Sequence, residues 1–300
     1  MAMGHSRIAL LADRGVVGVT GPEAPGFLDN LITNDVSGLD APGAALHAGL
    51  LSPQGKILFE FFVVRTSAGF LLETGLEQTA ALAKRLTMYK LRAKVEIKDA
   101  AGEVVVAVLL GAVRARPAGV IAFVDPRDER LGDRLLIPAP LVGEALAQSG
   151  ALRITPNAYH AHRISLGVPQ AGVDYPLGDA FPHEADFDLH HGVSFTKGCF
   201  VGQEVVARMQ NKSVIRKRIV RVSAASALAS GSDIKAGEAV IGVVGSVAGL
   251  EGLAMLRLDR VAEALDTGQA ITSGGAVLSV DSVAVSAYRE AVANRPVIDL

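Results

Sequence analysis

The sequence predicts an α+β protein that ends in a small β-barrel. Three observations carry that expectation. Strand-like and helix-like stretches succeed one another through the first half in an order that suits an antiparallel sheet with helices on one face. After Lys212 the composition shifts to Gly, Val, Ala and Ser in short alternating runs, as in small barrels. The chain has 300 residues, 50% of them hydrophobic, which is enough for two or three cores.

The elements follow in order. Leu10 to Thr20 is an apolar strand or hairpin, broken at Arg14-Gly15. Thr20-Gly21-Pro22-Glu23 reads as a capping box, and Phe27, Leu28, Leu31 and Ile32 then share one helical face. That helix stops before Asn34-Asp35, two polar residues that either finish a helix or are aimed by it into a site. His47 to Glu73 holds two strands joined at Ser52-Pro53-Gln54-Gly55. Within it, Ile57 to Val64 is apolar except for Glu60, and a carboxylate so placed needs a partner or a role.

Thr74-Gly75-Leu76-Glu77 reads as a second capping box, before a helix whose inner face is Leu82, Leu86 and Tyr89. Strands are expected at 93–98, 104–110, 120–124 and 134–137, and a helix at 138–148 stopped by Gly150. Thr155-Pro156 opens another helix, with proline at the first helical position, Tyr159 and Arg163 on one face and Gly167 beyond its end. Barrel strands are expected at 219–222, 239–247, 252–258 and 276–285.

Bulk properties exclude some functions. A net charge of −2 gives no global field for nucleic acid, so direct nucleic-acid binding is not expected. Charge is local: Lys84, Arg85, Lys90, Arg92, Lys94 and Lys98 form one basic cluster, and Arg208, Lys212, Arg216, Lys217, Arg218 and Arg221 another. Each is either a solvated face or a basic rim for a polyanion. The longest apolar run, 104–113, falls far short of the ~20 residues a bilayer requires, so no membrane span is expected. No signal peptide is read at the start, and a lone cysteine forbids an intrachain disulfide, which together suggest the cytoplasm.

The richest stretch is Phe181 to Lys212, FPHEADFDLHHGVSFTKGCFVGQEVVARMQNK. It holds the single cysteine, Cys199, between Lys197-Gly198 and Phe200-Val201-Gly202. Flanking glycines suggest a tight turn that presents a thiol. A thiol reacts as its thiolate, which the nearby Lys197 cation would favour; the alternative is a small buried hydrophobe. The histidine and cysteine spacing matches no zinc pattern, and one cysteine cannot hold a four-thiolate iron–sulfur cluster, so no metal site is expected within the chain.

KGCFVGQE, Lys197 to Glu204, resembles the signature of the YgfZ family of folate-binding proteins. Arg163 to Pro169, Gly172-Val173-Asp174 and Phe181 to Ala185 follow the same family's order, which is similar to that of the glycine cleavage T-protein, an aminomethyltransferase. Thr33-Asn34-Asp35-Val36 and Leu51 to Lys56 match as well. The resemblance implies three domains around a central channel: a discontinuous folate-pocket domain of 1–50 and 150–212, a ferredoxin-like α+β domain of 51–149 and a C-terminal β-barrel of 213–300.

It further implies a tetrahydrofolate or derivative as cofactor. Glu184 matches the acid that takes the pterin edge in the T-protein, and a carboxylate suits that row of N–H donors. Asp35, Asn34, Tyr159, Arg163 and Phe200 would line the site, with Cys199 and Lys197 carrying any chemistry. The implied role is an accessory one in iron–sulfur cluster assembly or repair and tRNA modification, with iron–sulfur proteins or assembly factors as partners. The competing role is aminomethyl transfer to tetrahydrofolate. Phe59-Glu60 stands where the T-protein has two aspartates, which weakens that second role.

Overall fold

The computed structural model describes residues 5–111 and 116–294. Contacts divide the chain into two compact units, 1–159 with 188–203, and 160–187 with 204–300.

The first unit holds two sheets. Its strands are β1 (Arg7–Leu11), β2 (Arg14–Thr20), β3 (Ala45–Leu51), β4 (Ile57–Thr66), β5 (Gly69–Gly75), β6 (Glu96–Asp99), β7 (Val104–Leu110), β8 (Ile121–Val124), β9 (Asp133–Pro138) and β10 (Leu152–Arg153). One sheet has the order β3-β4-β5-β2-β6 and the other β10-β1-β7-β9-β8. All pairs are antiparallel except β1 with β10. The helices are α1 (Ala24–Asp29), α2 (Thr79–Lys90), α3 (Val142–Ser149) and α4 (Pro156–Ser165). The last of these carries Tyr159 in the first unit and Arg163 in the second.

Strand periodicity explains how the first sheet divides its faces. In β4, Phe59, Phe61 and Val63 point to a core shared with Leu28 of α1, Ile32 just beyond it, and Leu82 and Leu86 of α2. Glu60 and Phe62 therefore point the other way. On that face β4 aligns Phe62 with His47 of β3 and with Glu73 of β5, so a histidine, an aromatic ring and a carboxylate stand in a row.

Both expected capping boxes are corrected. Glu23 accepts the backbone N–H of Lys94 at 2.9 Å and does not cap α1. The Thr74 hydroxyl donates to the carbonyl of Glu60 at 2.8 Å, so cross-strand pairing takes the group that local capping would have used. Elsewhere the reading holds: the Thr155 hydroxyl accepts the Ala158 N–H of α4, and Gly150 ends α3 in the left-handed conformation.

The second unit is built on a closed barrel of order β11-β14-β13-β12-β15-β16, with α+β composition as expected. The strands are β11 (Lys217–Ala224), β12 (Asp233–Ala236), β13 (Ala239–Ala248), β14 (Glu251–Arg257), β15 (Ile271–Ser273) and β16 (Ala276–Val280). Helices α5 (Gln203–Lys212), α6 (Leu258–Asp266) and α7 (Ser282–Ala293) accompany them. The last strand expected to reach Val285 stops at Val280, because the Asp281 carboxylate accepts the Val283 N–H and starts α7. Among the described residues no helix is long and apolar enough to cross a membrane.

Candidate functional site: a pinned thiol loop

Cys199 is exposed, on an irregular segment between Lys197 and α5. Three sequence-distant stretches of the first unit hold that segment. Thr33, fully buried, donates its hydroxyl to the carbonyl of Gly192 at 2.6 Å and accepts the N–H of Gly49 at 2.8 Å. The Asn34 amide donates to the carbonyls of His191 at 2.7 Å and His47 at 2.8 Å. The Ser194 N–H donates back to the Thr33 carbonyl at 2.9 Å.

Lys197 closes the second anchor. Its ammonium donates to the carbonyls of Asp29 (2.5 Å), Ile32 (3.1 Å) and Asn34 (2.9 Å) and to the Asp29 carboxylate (3.1 Å). A cation thus gathers the carbonyl of the last α1 residue, where the helix dipole favours it, with two carbonyls of the chain that follows. The ammonium also lies 5.6 Å from the Phe200 ring centre, and Phe200 itself is buried.

The third anchor is Gly202, at φ +82. A Cβ there would stand 2.7 Å from the Ser52 carbonyl oxygen and 3.1 Å from the Gly55 Cα. Only glycine lets the turn after Cys199 press against the Ser52-Pro53-Gln54-Gly55 turn. The motifs at 33–36, 51–56 and 197–204 therefore meet at one place.

Beneath this loop lies a buried charge network that only Glu60 hinted at in sequence. Arg134 of β9 donates to both Glu73 carboxylate oxygens, one at 2.7 Å, and to Asp125 at 3.2 Å. Arg14 reaches Glu73 at 2.8 Å, and Arg127 reaches Asp125 at 2.9 Å and Glu60 at 3.8 Å. The Arg127 and Arg134 guanidinium carbons lie 4.8 Å and 4.6 Å from the centre of the Phe62 ring. His47 completes the chain: Nε2 stands 3.0 Å from Glu60, and Nδ1 3.0 Å from the carbonyl of His190, next to the residues that Thr33 and Asn34 hold.

Burial alone would push the Glu60, Glu73 and Asp125 carboxyls up; the cationic and hydrogen-bonding neighbours outweigh it and hold all three below the ordinary carboxylate range. His190 is also lowered, which for a base favours the neutral form. Burial, and then the charge of Arg127, push its imidazole down to about 4.

The remaining expected site residues are distributed as follows. Asp35 caps the short turn after it, accepting the Ser37 N–H at 2.8 Å; that bond, more than Lys197, lowers its carboxyl. Tyr159 is buried, and its hydroxyl accepts from Arg134 at 3.3 Å. In the second unit Arg163 is buried, donating to Asp174 at 3.0 Å, to the Val168 carbonyl at 2.5 Å and to the Ser246 hydroxyl at 2.6 Å. Glu184, half-buried in the same unit, accepts the Phe181 N–H at 3.0 Å through one oxygen. Asn34, Asp35, Lys197, Phe200 and Cys199 thus belong to one neighbourhood, and Arg163 and Glu184 to the second unit.

This architecture defines a protein of the glycine-cleavage aminomethyltransferase fold. The structure is similar to that of glycine cleavage system aminomethyltransferase T from Bartonella henselae, with a TM-score of 0.75 over 92% of this chain and 85% of that one, at 18% identity, a likeness of fold. Residues 216–291 match the family described as CAF17, C-terminal beta-barrel domain. The chain is 33% identical over 280 residues to the iron-sulfur cluster assembly factor IBA57, mitochondrial, of Mus musculus, covering 84% of this chain and 77% of that one. It is 37% identical over 233 residues to the Homo sapiens protein of that name, covering 71% and 65%.

The chain belongs to the IBA57 family. It spans 57% of the Mycosarcoma maydis homolog, to which it is 32% identical over 231 residues. One expectation falls here. These relatives are named as mitochondrial proteins, so the cytoplasmic setting does not stand. A single cysteine speaks to disulfides, and it does not distinguish one reducing compartment from another.

Proposed function

We propose that this chain is an accessory factor of iron–sulfur cluster assembly or repair, with Cys199 as its working thiol. The observation that supports this most directly is the exposed thiol on a loop anchored by Thr33, Asn34, Lys197 and Gly202. Anchoring of this kind keeps one nucleophile or ligand in a set place, as a ligand or partner site needs. A single thiolate supplies one ligand of a cluster, so the others come from a partner. The matched relatives are named iron-sulfur cluster assembly factors, which agrees with this reading.

The test is complementation of a strain lacking the protein. Cys199→Ser should melt like the wild type and fail to restore iron–sulfur enzymes, including those that modify tRNA. Restoration to the wild-type level would overturn the proposal.

A reduced folate is the proposed ligand, on the strength of the YgfZ resemblance. Of the residues expected to hold it, Glu184 has the acceptor capacity: one oxygen takes the Phe181 N–H, and the other has no protein partner among the described residues. Arg163 and Tyr159 already hold internal bonds and would shape the site more than grip a ligand. Titration with tetrahydrofolate should show Glu184→Gln binding about tenfold to a hundredfold more weakly. Aminomethyl transfer is the less favoured role, because Glu60 is engaged by His47 and Arg127 inside the unit.

A further inference from the structure

Away from the thiol loop, the first unit carries a groove of about 570 Å³ lined by Pro22, Gly26, Phe27, Leu31, Tyr89 and Ala93. Its wall is the open side of α1, and its rim is the end of α2. Leu31, Tyr89 and Ala93 pack only partly on the core beneath. The one acid in the groove, Glu23, is tied to the backbone N–H of Lys94.

Two features of the rim set it apart from an ordinary helix end. The text Lys84 to Lys94, KRLTMYKLRAK, holds Lys84, Arg85, Lys90, Arg92 and Lys94 and no acid, in a chain whose net charge is −2. Among the described residues none of these side chains forms an ion pair, whereas Lys98 just beyond is paired with Glu103. Then Leu91, between Tyr89 and Ala93, is 88% exposed at φ +46, ψ −106. A leucine there combines backbone strain with an unburied apolar side chain, and folding alone rewards neither. Met88, one turn earlier, is 63% exposed.

We infer that this groove docks an acidic segment of a partner protein that seats an apolar side chain against Phe27, Leu31 and Tyr89. The basic rim supplies the complementary charge and Leu91 a second apolar contact. Charge of one sign around an apolar slot favours a peptide with acids flanking an aromatic or long aliphatic anchor. A nucleic acid or a lipid surface would use the cations and leave the concave slot unfilled.

The experiment selects a displayed random-peptide library on the full chain and measures the recovered peptides by fluorescence anisotropy. Two variants separate slot from rim. Gly26→Leu plugs the groove: an added Cβ there meets nothing within 4 Å, and leaving glycine favours the helix. Lys90→Glu/Arg92→Glu/Lys94→Glu reverses the rim. Recovered peptides should be acidic with an apolar anchor, and each variant should weaken them by about tenfold or more. Leu91→Gly should weaken them too while raising the melting temperature, since glycine relieves the strain. The inference is overturned if no peptide is recovered, or if the recovered peptides are not acidic or ignore Gly26→Leu. It is equally overturned if oligouridine or phosphatidylglycerol vesicles bind the wild type, lose binding in the rim variant and ignore Gly26→Leu.

Discussion

The hydroxyl of Thr33 and the carbonyl of Gly192, 159 residues apart, are joined by a buried hydrogen bond of 2.6 Å. The same oxygen accepts the Gly49 N–H, so one side chain ties a helix end, a strand and the thiol loop together. Thr33→Val keeps the shape and removes both bonds. Two buried backbone groups would be left unmatched, costing about 2–4 kcal/mol. Thermal unfolding should show the loss, and alkylation of Cys199 should change rate as its loop loosens.

Gly202→Ala tests the third anchor. The new Cβ meets the Ser52 carbonyl oxygen at 2.7 Å from a φ of +82, so neither local rotation nor a rotamer change relieves it. A loss of about 1–3 kcal/mol is expected, with the turn after Cys199 displaced. Wild-type stability in this variant would mean that the contact of the two turns is not needed.

In the charge network, Arg134→Met should be among the most damaging single changes in the first unit. It removes the cation shared by Glu73 and Asp125, both buried, and an unmatched buried carboxylate costs about 3–5 kcal/mol. Urea unfolding compared with the exposed change Arg130→Met gives the contrast, since exposed pairs contribute about 0–1 kcal/mol.

Acid should act on this unit in two stages. His190 has its native value near 4 against an ordinary 6.5, so below 6.5 the unfolded chain takes up the proton and the folded one does not. Stability then falls as pH drops from 6.5 to about 4, by on the order of 3 kcal/mol, with no further fall from this group below. Glu60, Glu73 and Asp125 act in the same direction at lower pH: their depressed values give stability that is present above the ordinary carboxylate range and lost as pH falls below it. His190→Gln should flatten the first stage and leave the second. An unchanged slope between pH 4 and 6.5 in that variant would remove His190 from the account.

Local signals in the sequence were good guides where one residue type forces one outcome. Gly150, Thr155-Pro156 and Gly202 behave as read, because left-handed backbone and helix starts have few solutions. Glu60 was conspicuous because it interrupts an apolar run. Its neighbours in the network were not. Arg14, Asp125, Arg127 and Arg134 lie at strand ends or in loops, where charge is ordinary, and their pairing depends on two sheets facing each other. Thr20 and Thr74 misled for a related reason. A capping box is a pattern within four residues, and sheet pairing claimed those groups first, as the bond from Thr74 to the Glu60 carbonyl makes plain. The basic run at 84–94 was visible, but the groove beside it and the exposure of Leu91 were not.

The closed barrel has a consequence for how the protein is made. Its first strand, β11, must pair with its last, β16, through Val222 with Val280, Ser223 with Ser279 and Ala224 with Leu278. During synthesis the ring has to wait until the segment around Val280 has cleared the ribosome, several seconds after β11 emerges at ordinary elongation rates. Throughout that interval β11 has an unpaired edge, and its alternating pattern would suit any other strand nearby. Arg218 and Arg221 lie in the same strand, and charge of that kind is what disfavours pairing of an open strand with the wrong partner.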